Sequence, residues 1–248
     1  MRYIKGEICM LEIKNIYKTY GGKVALNHIS IELEDGVYGL LGPNGAGKST
    51  LMNIITDNLS MDEGEILYNG NNVAKLGKEF LKKIGFAPQQ QGLYDEFTGI
   101  RFLSYMGTLK GISKDSLKSE IEMVSKAVNL FNELDKKMGA YSGGMKQRIL
   151  IAQAIMGSPK ILIMDEPTAG LDPKERVRIR ELLAEISSDK IILVATHVVS
   201  DIQSISKEII MIKKGNIIEK GTPKDLIKRY AENGDLEDVY MKMFDGGQ

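Results

Sequence analysis

The spacing of apolar residues divides the chain into strands and helices. At 11–14 and 29–34 apolar residues alternate with polar or charged ones, which predicts two half-exposed strands. The segment 37–41 is apolar throughout, as expected for a strand buried in a parallel sheet. Together these patterns predict an antiparallel flap packed on a parallel core. Further runs that predict strands lie at 65–68, 84–87, 161–165, 191–196, 209–212 and 217–218.

Apolar residues recur with the helical period in other segments. Strand patterns are missing from 98 to about 158, where residues such as 102, 105, 106 and 109 share one helical face. A helix is predicted to begin near Lys48, and the last helix to open at Thr222 with a capping box and Pro223 at its first position. The chain is therefore predicted to be an α/β protein with an inserted helical subdomain.

The segment from Gly42 to Ser49 fits the phosphate-binding P-loop, G-x-x-x-x-G-K-[ST]. It follows the buried strand and opens a helix, so the loop and the helix N-terminus can present backbone N–H groups to phosphates. Lys48 would reach the β and γ phosphates of ATP, and the Ser49 hydroxyl would ligate Mg²⁺. The alternative is a glycine turn with a chance lysine. The predicted nucleotide-binding residues here are Gly42, Pro43, Asn44, Gly45, Ala46, Gly47, Lys48, Ser49 and Thr50.

The amino-acid composition limits the partners and the cellular compartment that we expect for this protein. The 248 residues include 33 Lys+Arg and 33 Asp+Glu, so the formal net charge is zero. The chain therefore has no excess of positive charge that would attract nucleic acid or an anionic membrane. Cys9 is the only cysteine, which excludes an internal disulfide and favours a reducing compartment. No apolar run approaches the length of a membrane span, and the start lacks a signal-peptide pattern. We therefore expect a chain that is soluble by itself and reaches a membrane only through a partner.

Three further segments decide among the classes of P-loop protein. The segments 141–148 (YSGGMKQR), 161–166 (ILIMDE) and 169–173 (AGLDP) resemble the signature motif, the Walker B strand with its catalytic glutamate, and the D-loop of ATP-binding-cassette (ABC) ATPases. Gln89 and His197 stand where that family has its Q-loop glutamine and switch histidine. These motifs follow the family order from residue 11 to about 228. The resemblance implies a P-loop NTPase core that hydrolyses ATP.

The residues in these motifs also suit the chemistry by their own properties. Phosphoryl transfer to water depends mainly on positioning and charge stabilisation. Asp165 can hold Mg²⁺ through a water, and Glu166 can orient and deprotonate the attacking water. Gln89 and His197 can each contact the γ-phosphate, the water or the metal. Structural alternatives remain at this stage: Asp165 and Glu166 could form an exposed turn, and His197 could have a purely structural role.

Ser142, Gly143 and Gly144 lie at the start of a predicted helix, where exposed N–H groups form another anion site. The resemblance implies that they hold the γ-phosphate on the P-loop of a second cassette, so that ATP joins two subunits. It also places Tyr20 against the adenine and Asp172 at the nucleotide through the D-loop. Tyr20 could instead be ordinary packing, and Asp172 could simply cap the following helix.

Two residues depart from the commonest signature: Tyr141 replaces leucine and Met145 replaces glutamine. They leave Ser142 and both glycines intact, so we interpret them as marks of a subfamily. With the segment 236–240, they resemble the bacterial branch that exports drugs, antibiotics or lipids. The segment 93–98 resembles the region that receives the coupling helix of a membrane partner.

The resemblance predicts an ATPase subunit that works with a separate transmembrane permease, peripheral on the inner, cytoplasmic face of the cell membrane. A second ATPase subunit, in an ATP-dependent homodimer, is the other expected partner, and no nucleic acid is expected. The rival class is a soluble cassette ATPase acting on ribosomes or DNA, whose members usually carry two cassettes or long coiled-coil arms. A nucleotide-sensing module without turnover would lack Glu166 or His197, and both are present.

Domain boundaries follow from the same patterns. Family members usually begin just before the first strand, so Met10 is a candidate start, and the residues before it are expected to be an untranslated or disordered leader. The predicted ranges are 1–9 for this leader, 11–230 for the ATPase domain, 11–88 and 159–230 for its core and flap, 89–158 for its helical subdomain, and 231–248 for a C-terminal extension.

Overall fold

The computed structural model describes residues 9–89, 94–232 and 234–244 of the chain. Within these ranges, helices connect a larger and a smaller sheet. The strands are β1 (Met10–Tyr20), β2 (Lys23–Glu34), β3 (Gly36–Leu41), β4 (Glu63–Tyr68), β5 (Asn71–Asn72), β6 (Ile84–Ala87), β7 (Ile161–Asp165), β8 (Ile191–Thr196), β9 (Glu208–Lys213) and β10 (Asn216–Gly221). The helices are α1 (Lys48–Ile55), α2 (Val73–Leu76), α3 (Lys78–Leu81), α4 (Gly99–Leu109), α5 (Lys114–Ala127), α6 (Gly143–Ile155), α7 (Pro173–Ile186), α8 (Pro223–Tyr230) and α9 (Leu236–Phe244).

The larger sheet has the strand order β10-β9-β3-β8-β7-β6. From β9 to β6 neighbouring strands are parallel, and β10 closes one edge as the antiparallel arm of a hairpin. Strands β7 and β8 are buried along their whole length, as their apolar sequences predict. The α/β fold with a parallel core is confirmed. Strand β8 lies between β3 and β7, so the strand before the P-loop and the strand carrying Asp165 are not direct neighbours.

The smaller sheet, ordered β2-β1-β4-β5, is the predicted antiparallel flap. Every second residue of β1 near its start is buried, because Leu11 and Ile13 face a core that they share with Leu51 and Met52 of α1. The flap therefore packs on the helix that follows the P-loop. Strand β2 begins at Lys23, six residues before the alternating pattern begins, and the sequence patterns do not predict the short helices α2 and α3.

Helices α4, α5 and α6 form the helical insertion between β6 and β7. Each helix has an N-cap residue whose side chain accepts a hydrogen bond from a backbone N–H of the first turn. These residues are Thr98, Ser113 and Ser142. Their apolar faces join a core that continues onto β7, through residues such as Phe102 and Leu103. No helix among the described residues combines the length and apolar character needed to cross a membrane.

The C-terminal end of α6 is fastened directly to β6. A Cβ atom at Gly85 would fall inside the van der Waals distance of the Ala154 carbonyl oxygen, so only glycine allows this approach. The Gln153 side chain donates to the Phe86 carbonyl at 2.5 Å. The Lys110 ammonium, at the end of α4, donates to the carbonyl oxygens of Gln153 and Met156 at 2.7 and 2.8 Å, and burial lowers its pKa to about 8.

The predicted C-terminal extension contains α9, a helix that the sequence did not indicate. Leu236 and Val239 are fully buried and share a core with Val199, which lies just after β8. Lys213 of β9 also donates to the Met243 carbonyl at 2.9 Å. Residues 234–244 therefore belong to the packed domain.

Cys9 also differs from its expected place in a leader. The residue is buried at 6% exposure, and the Tyr68 hydroxyl lies 3.6 Å from its sulfur. Its backbone N–H donates to the Asp35 carboxylate at 3.4 Å. The prediction of a loosely packed leader is therefore wrong at Cys9, and for residues 1–8 it lies outside the described residues.

Gly85→Ala tests the direct packing of β6 on α6. The added methyl group meets backbone atoms, which have little freedom to move, so we expect the free energy of unfolding to fall by about 1–3 kcal/mol or more. Gly143→Ala is the control, because a methyl group there has open space around it. Urea denaturation of both variants should show the loss only for Gly85→Ala, and equal stability would contradict the close packing.

Candidate active site

A cavity of about 210 Å³ lies at the edge of the larger sheet where the carboxyl ends of the parallel strands meet. The P-loop leaves β3, His197 follows β8, Asp165 and Glu166 end β7, and Gln89 follows β6. Parallel strands place these segments together although they are distant in sequence. The cavity is lined by Ala25, Asn44, Gly45, Ala46, Gly47, Lys48, Ser49, Thr50, Gln89, Asp165, Glu166 and His197.

The P-loop turns into α1 through Gly47, which has a φ of 114°. A Cβ atom there would approach the Ala25 carbonyl oxygen to 2.8 Å, so a side chain is excluded by both conformation and space. Helix α1 begins at the next residue, and its N-terminus opens on the cavity. Unpaired N–H groups and the helix dipole favour a phosphate at this position.

Lys48 is 7% exposed, and its ammonium group is held by the loop itself. The ammonium donates to the Gly42 carbonyl at 2.5 Å and to the Pro43 carbonyl at 3.2 Å. Burial lowers the pKa of Lys48, while the nearby carboxylates of Glu166 and Asp165 oppose that shift. Gly42 and Pro43 do not line the cavity, and their carbonyl oxygens contact it only through Lys48.

Ser49 and Asp165 bring two oxygen ligands together at the cavity wall. The Ser49 hydroxyl donates to the Asp165 carboxylate at 2.8 Å. Burial raises the pKa of Asp165, and the bond from Ser49 opposes the shift. Among residues 9–89, 94–232 and 234–244 no cluster of three or more His, Cys, Asp or Glu side chains could hold a metal. This donor set fits Mg²⁺, which typically takes one or two carboxylates plus substrate phosphates.

Glu166 has an uncommon backbone conformation for a residue with a side chain, with a φ of 51°. Its N–H donates to the Ala195 carbonyl of β8 at 2.8 Å, and its own carbonyl accepts a bond from the Gln147 side chain at 3.3 Å. Strained backbone of this kind persists where surrounding bonds hold it and is concentrated at functional sites. The turn aims the Glu166 side chain back toward the end of β8.

The Glu166 carboxylate is buried, and the end of β8 holds both of its oxygens. Thr196 donates its hydroxyl to Oε2 at 3.1 Å, and Nδ1 of His197 lies 2.8 Å from Oε1. Thr196 is itself fixed because its hydroxyl accepts the N–H of Val198 at 3.0 Å. His197 keeps 60% of its side chain exposed and faces the cavity. Glu166 is thus oriented by groups on the neighbouring strand and reaches the site together with His197.

Gln89 and Tyr20 occupy different positions relative to the cavity. Gln89 is exposed and lines it, two residues beyond the end of β6. Tyr20 ends β1, is 51% exposed and lies outside the residues that line the cavity, with the Lys18 ammonium 5.9 Å from its ring centroid. Ala25 of β2 is the flap residue on the wall. Ala25 is a small residue in a half-exposed strand and lies before its alternating segment, so no sequence pattern indicated this position.

The signature segment lies away from this cavity. Ser142 is exposed and caps α6 by accepting the Met145 N–H at 3.2 Å, and Gly143 is exposed beside it. A Cβ atom at Gly144 would lie 3.3 Å from the Gly170 carbonyl, so the signature and the D-loop of one chain are neighbours. None of the three predicted residues lines the cavity beside the chain's own P-loop.

Asp172 caps helix α7, which is the structural role that the sequence left open for it. Its carboxylate accepts the Glu175 N–H at 3.0 Å and opens α7 together with Pro173.

Tyr141, one of the two departures from the commonest signature, is buried, and its hydroxyl donates to the Glu133 carbonyl at 2.9 Å. Burial raises the pKa of Tyr141 to about 12, so the phenol stays protonated as a donor.

A larger cavity, of about 570 Å³, lies between α5 and α7. Its walls carry apolar side chains such as Val124 and Leu182 and exposed charges such as Arg178. It contains none of the residues assigned to nucleotide or metal. Volume alone therefore does not select the candidate site, which is chosen because the P-loop, Asp165, Glu166 and His197 converge on the smaller cavity.

Comparison with known proteins agrees with this geometry. A family model described as ABC transporter matches residues 26–169. The linearmycin resistance ATP-binding protein LnrL of Bacillus subtilis is 36% identical over 222 residues, covering 89% of this chain and 71% of LnrL. The lantibiotic transport ATP-binding protein SrtF of Streptococcus pyogenes is 34% identical over 233 residues, covering 93% and 96%.

Solved structures give the same result for the fold. The dimeric structure of MJ0796, a bacterial ABC transporter cassette, matches with a TM-score of 0.79 and 28% identity, covering 86% of this chain and 98% of that one. A second structure of that cassette is a dimeric post-hydrolysis state bound to ADP and Pi. The chain therefore belongs to the ABC transporter family, as one of its ATP-binding and ATP-hydrolysing cassettes.

Proposed function

We propose that this ATPase works as one of two identical subunits that close on ATP and drive export through a separate membrane permease. The observation that carries the proposal is the separation of two phosphate-binding elements. The P-loop cavity gathers Lys48, Asp165, Glu166 and His197, whereas Ser142 and Gly143 are exposed elsewhere on the same chain, next to the half-buried Gly144. A second copy, related by a two-fold axis, supplies the missing element to each cavity.

In this proposal the P-loop N–H groups and Lys48 hold the β and γ phosphates. Lys48 exchanges its two carbonyl bonds for phosphate oxygens, which satisfies a buried ammonium better than neutral carbonyls do. Ser49 and Asp165 would hold Mg²⁺, with Gln89 reaching it from the cavity rim. The ion, when bound, would neutralise charge on the phosphate oxygens. Tyr20 would contact the adenine from the tip of the flap.

Glu166 is the proposed base for the attacking water. Its carboxylate already accepts a hydrogen bond from Thr196 and is hydrogen-bonded to Nδ1 of His197, so its orientation is set before substrate arrives. The His197 side chain, which is largely exposed in the cavity, would contact the γ-phosphate. Because His197 also contacts Glu166, the position of Glu166 would then depend on whether the γ-phosphate is bound. Preorganisation of this kind lowers the barrier without covalent chemistry by the protein.

The trans arrangement assigns Ser142, Gly143 and Gly144 to the neighbour's γ-phosphate. Ser142 caps α6, and the exposed N-terminus of this 13-residue helix provides an anion site. Asp172, in the adjacent D-loop, would lie at the same subunit boundary. ATP then joins the subunits, and its hydrolysis removes the shared ligand.

The permease is proposed to dock on the helical subdomain, residues 89–158. An exposed aromatic cluster there stacks Tyr94 on Phe97 with centroids 4.9 Å apart, and the Arg101 guanidinium lies 4.1 Å from the Phe97 ring. LnrL and SrtF are named for linearmycin resistance and lantibiotic transport, which supports export. The cassette would then sit at the inner face of the cell membrane. The net charge of zero argues against the alternative partners, ribosomes or DNA.

Glu166→Gln tests the base. The amide keeps the shape of the side chain but cannot accept the proton, so we expect ATP turnover to fall by at least ~10². ATP should then hold a long-lived dimer, visible by size-exclusion chromatography. Glu181→Gln, at an exposed position on α7, is the control and should keep both normal turnover and a transient dimer. Turnover within a few-fold of wild type for Glu166→Gln would remove this residue from the role.

A mixed dimer tests the shared site. Ser142→Arg should abolish hydrolysis while the subunit still binds ATP, and Lys48→Ala should abolish ATP binding. In the mixed dimer, one cavity combines an intact P-loop with an intact Ser142 from the other chain. We therefore expect partial recovery of hydrolysis when the two inactive variants are mixed, measured as phosphate release. Mixed dimers proven by mass that remain inactive would contradict independent trans sites.

Fractionation of native cells tests the proposed partner. An ATPase bound to a permease should sediment with membranes and be released by a wash at high pH that strips peripheral proteins. Wild-type protein that instead sediments with ribosomes, or remains with nucleic acid until nuclease treatment, would favour the rival class. A reporter of known cytoplasmic location is the control for leakage.

A further inference from the structure

Arg176 of α7 touches the two loops that leave the active-site edge of the sheet. Its Nε donates to the Leu171 carbonyl at 3.2 Å. Its Nη1 lies 3.5 Å from the carboxylate of Asp201, in the single 3₁₀ turn that follows β8. The planar guanidinium presents its donors in a fixed fork, so one side chain can hydrogen-bond Leu171 and form an ion pair with Asp201 at the same time. Arg176 therefore bridges the loop after β7 and the turn after β8.

Asp201 is a buried acid with no role in the nucleotide cavity. Its side chain is 6% exposed, and a second arginine, Arg180, lies 3.7 Å from its other oxygen. Arg180 also donates to the Ser200 carbonyl at 3.1 Å. Removing a carboxylate from water carries a cost that ion pairing only partly offsets. Such a group fits a role in positioning better than a role in stability.

The two bridged loops both begin at active-site residues. The first runs from Glu166 to Asp172, and the second begins at His197. Near the sheet they are joined because the Glu166 carboxylate contacts His197. At their far ends they are joined through Arg176. Fastening at two points restricts the pivoting that one contact alone would allow.

We propose that Arg176 and Asp201 are positioning residues for ATP hydrolysis, which fix the two loops in the relation that aligns Glu166 with His197. Arg176 suits this role because it is anchored on a 14-residue helix rather than on a loop. Neither residue reaches the cavity, so both act through Glu166 and His197. The inference rests on the proposed roles of Glu166 and His197.

The steady-state kinetics should separate positioning from nucleotide binding. Arg176→Met and Asp201→Asn leave the P-loop untouched, so the KM for ATP should stay within about twofold. The kcat should fall roughly tenfold, because small misalignment of reacting groups is costly. Arg178→Met, an exposed arginine on the same helix, removes the same charge and should leave kcat unchanged.

A double-mutant cycle with His197→Ala gives a readout that a general structural defect would not give. If Asp201 acts through His197, then Asp201→Asn should lower kcat no further in the His197→Ala background. Additive losses in kcat, or a loss confined to melting temperature with normal kcat, would overturn the inference. Normal kcat for His197→Ala alone would instead remove the proposed role of His197, which distinguishes the two failures.

Arg176→Lys keeps the inference testable if a larger change prevents folding. Lysine retains a positive charge for Asp201, but a single ammonium lacks the fork that holds Leu171 at the same time. We expect a folded protein with lowered kcat and unchanged KM. Wild-type kcat in this variant would show that the bridge to Leu171 has no effect and would overturn the proposal.

Discussion

The register of the parallel sheet is the constraint on which the active site depends. Leu41 pairs with Thr196, and Asp165 pairs with Ala195, so β3, β8 and β7 end almost in line. The P-loop, His197 and Glu166 therefore leave the sheet at one level and converge on one cavity. A slip of one residue would turn every side chain of a strand to its opposite face. The fully buried strands β7 and β8 make such a slip costly, and thereby protect the geometry of the site.

Electrostatics at this edge prepares the cavity for a polyanion. Burial lowers the pKa of Lys48 and raises that of Asp165, so each group is less stable in its charged form than it would be in water. Their mutual attraction opposes both shifts. Phosphate oxygens next to Lys48, and a cation next to Asp165, would each favour the charged form. ATP with Mg²⁺ is thus complementary to charges that the fold has already moved out of water.

The mechanical connections of the cassette lead from one phosphate-binding element to the other. Helix α6 is capped by Ser142, and its last turn is held on β6 by Gln153 and on the end of α4 by Lys110. Strand β6 leads directly to Gln89 at the cavity. At its other end α6 lies against the D-loop, whose Leu171 carbonyl is held by Arg176. Closure of a dimer on ATP would therefore act on a subdomain that is fastened to both sides of the catalytic edge.

The sequence by itself determined what depends on neighbouring residues: the strand, loop and helix of the P-loop, the caps at Asp172 and Thr222, and the alternation in the flap. The motif resemblance then indicated which polar residues belong to one site. Only the tertiary structure decided how distant segments meet. It buried Cys9, packed α9 under the turn after β8, brought Ala25 to the cavity wall and placed Tyr20 outside it. The Arg176–Asp201 bridge has the same origin, because periodicity records which face of an element is buried, whereas strand order and packing decide what that face meets.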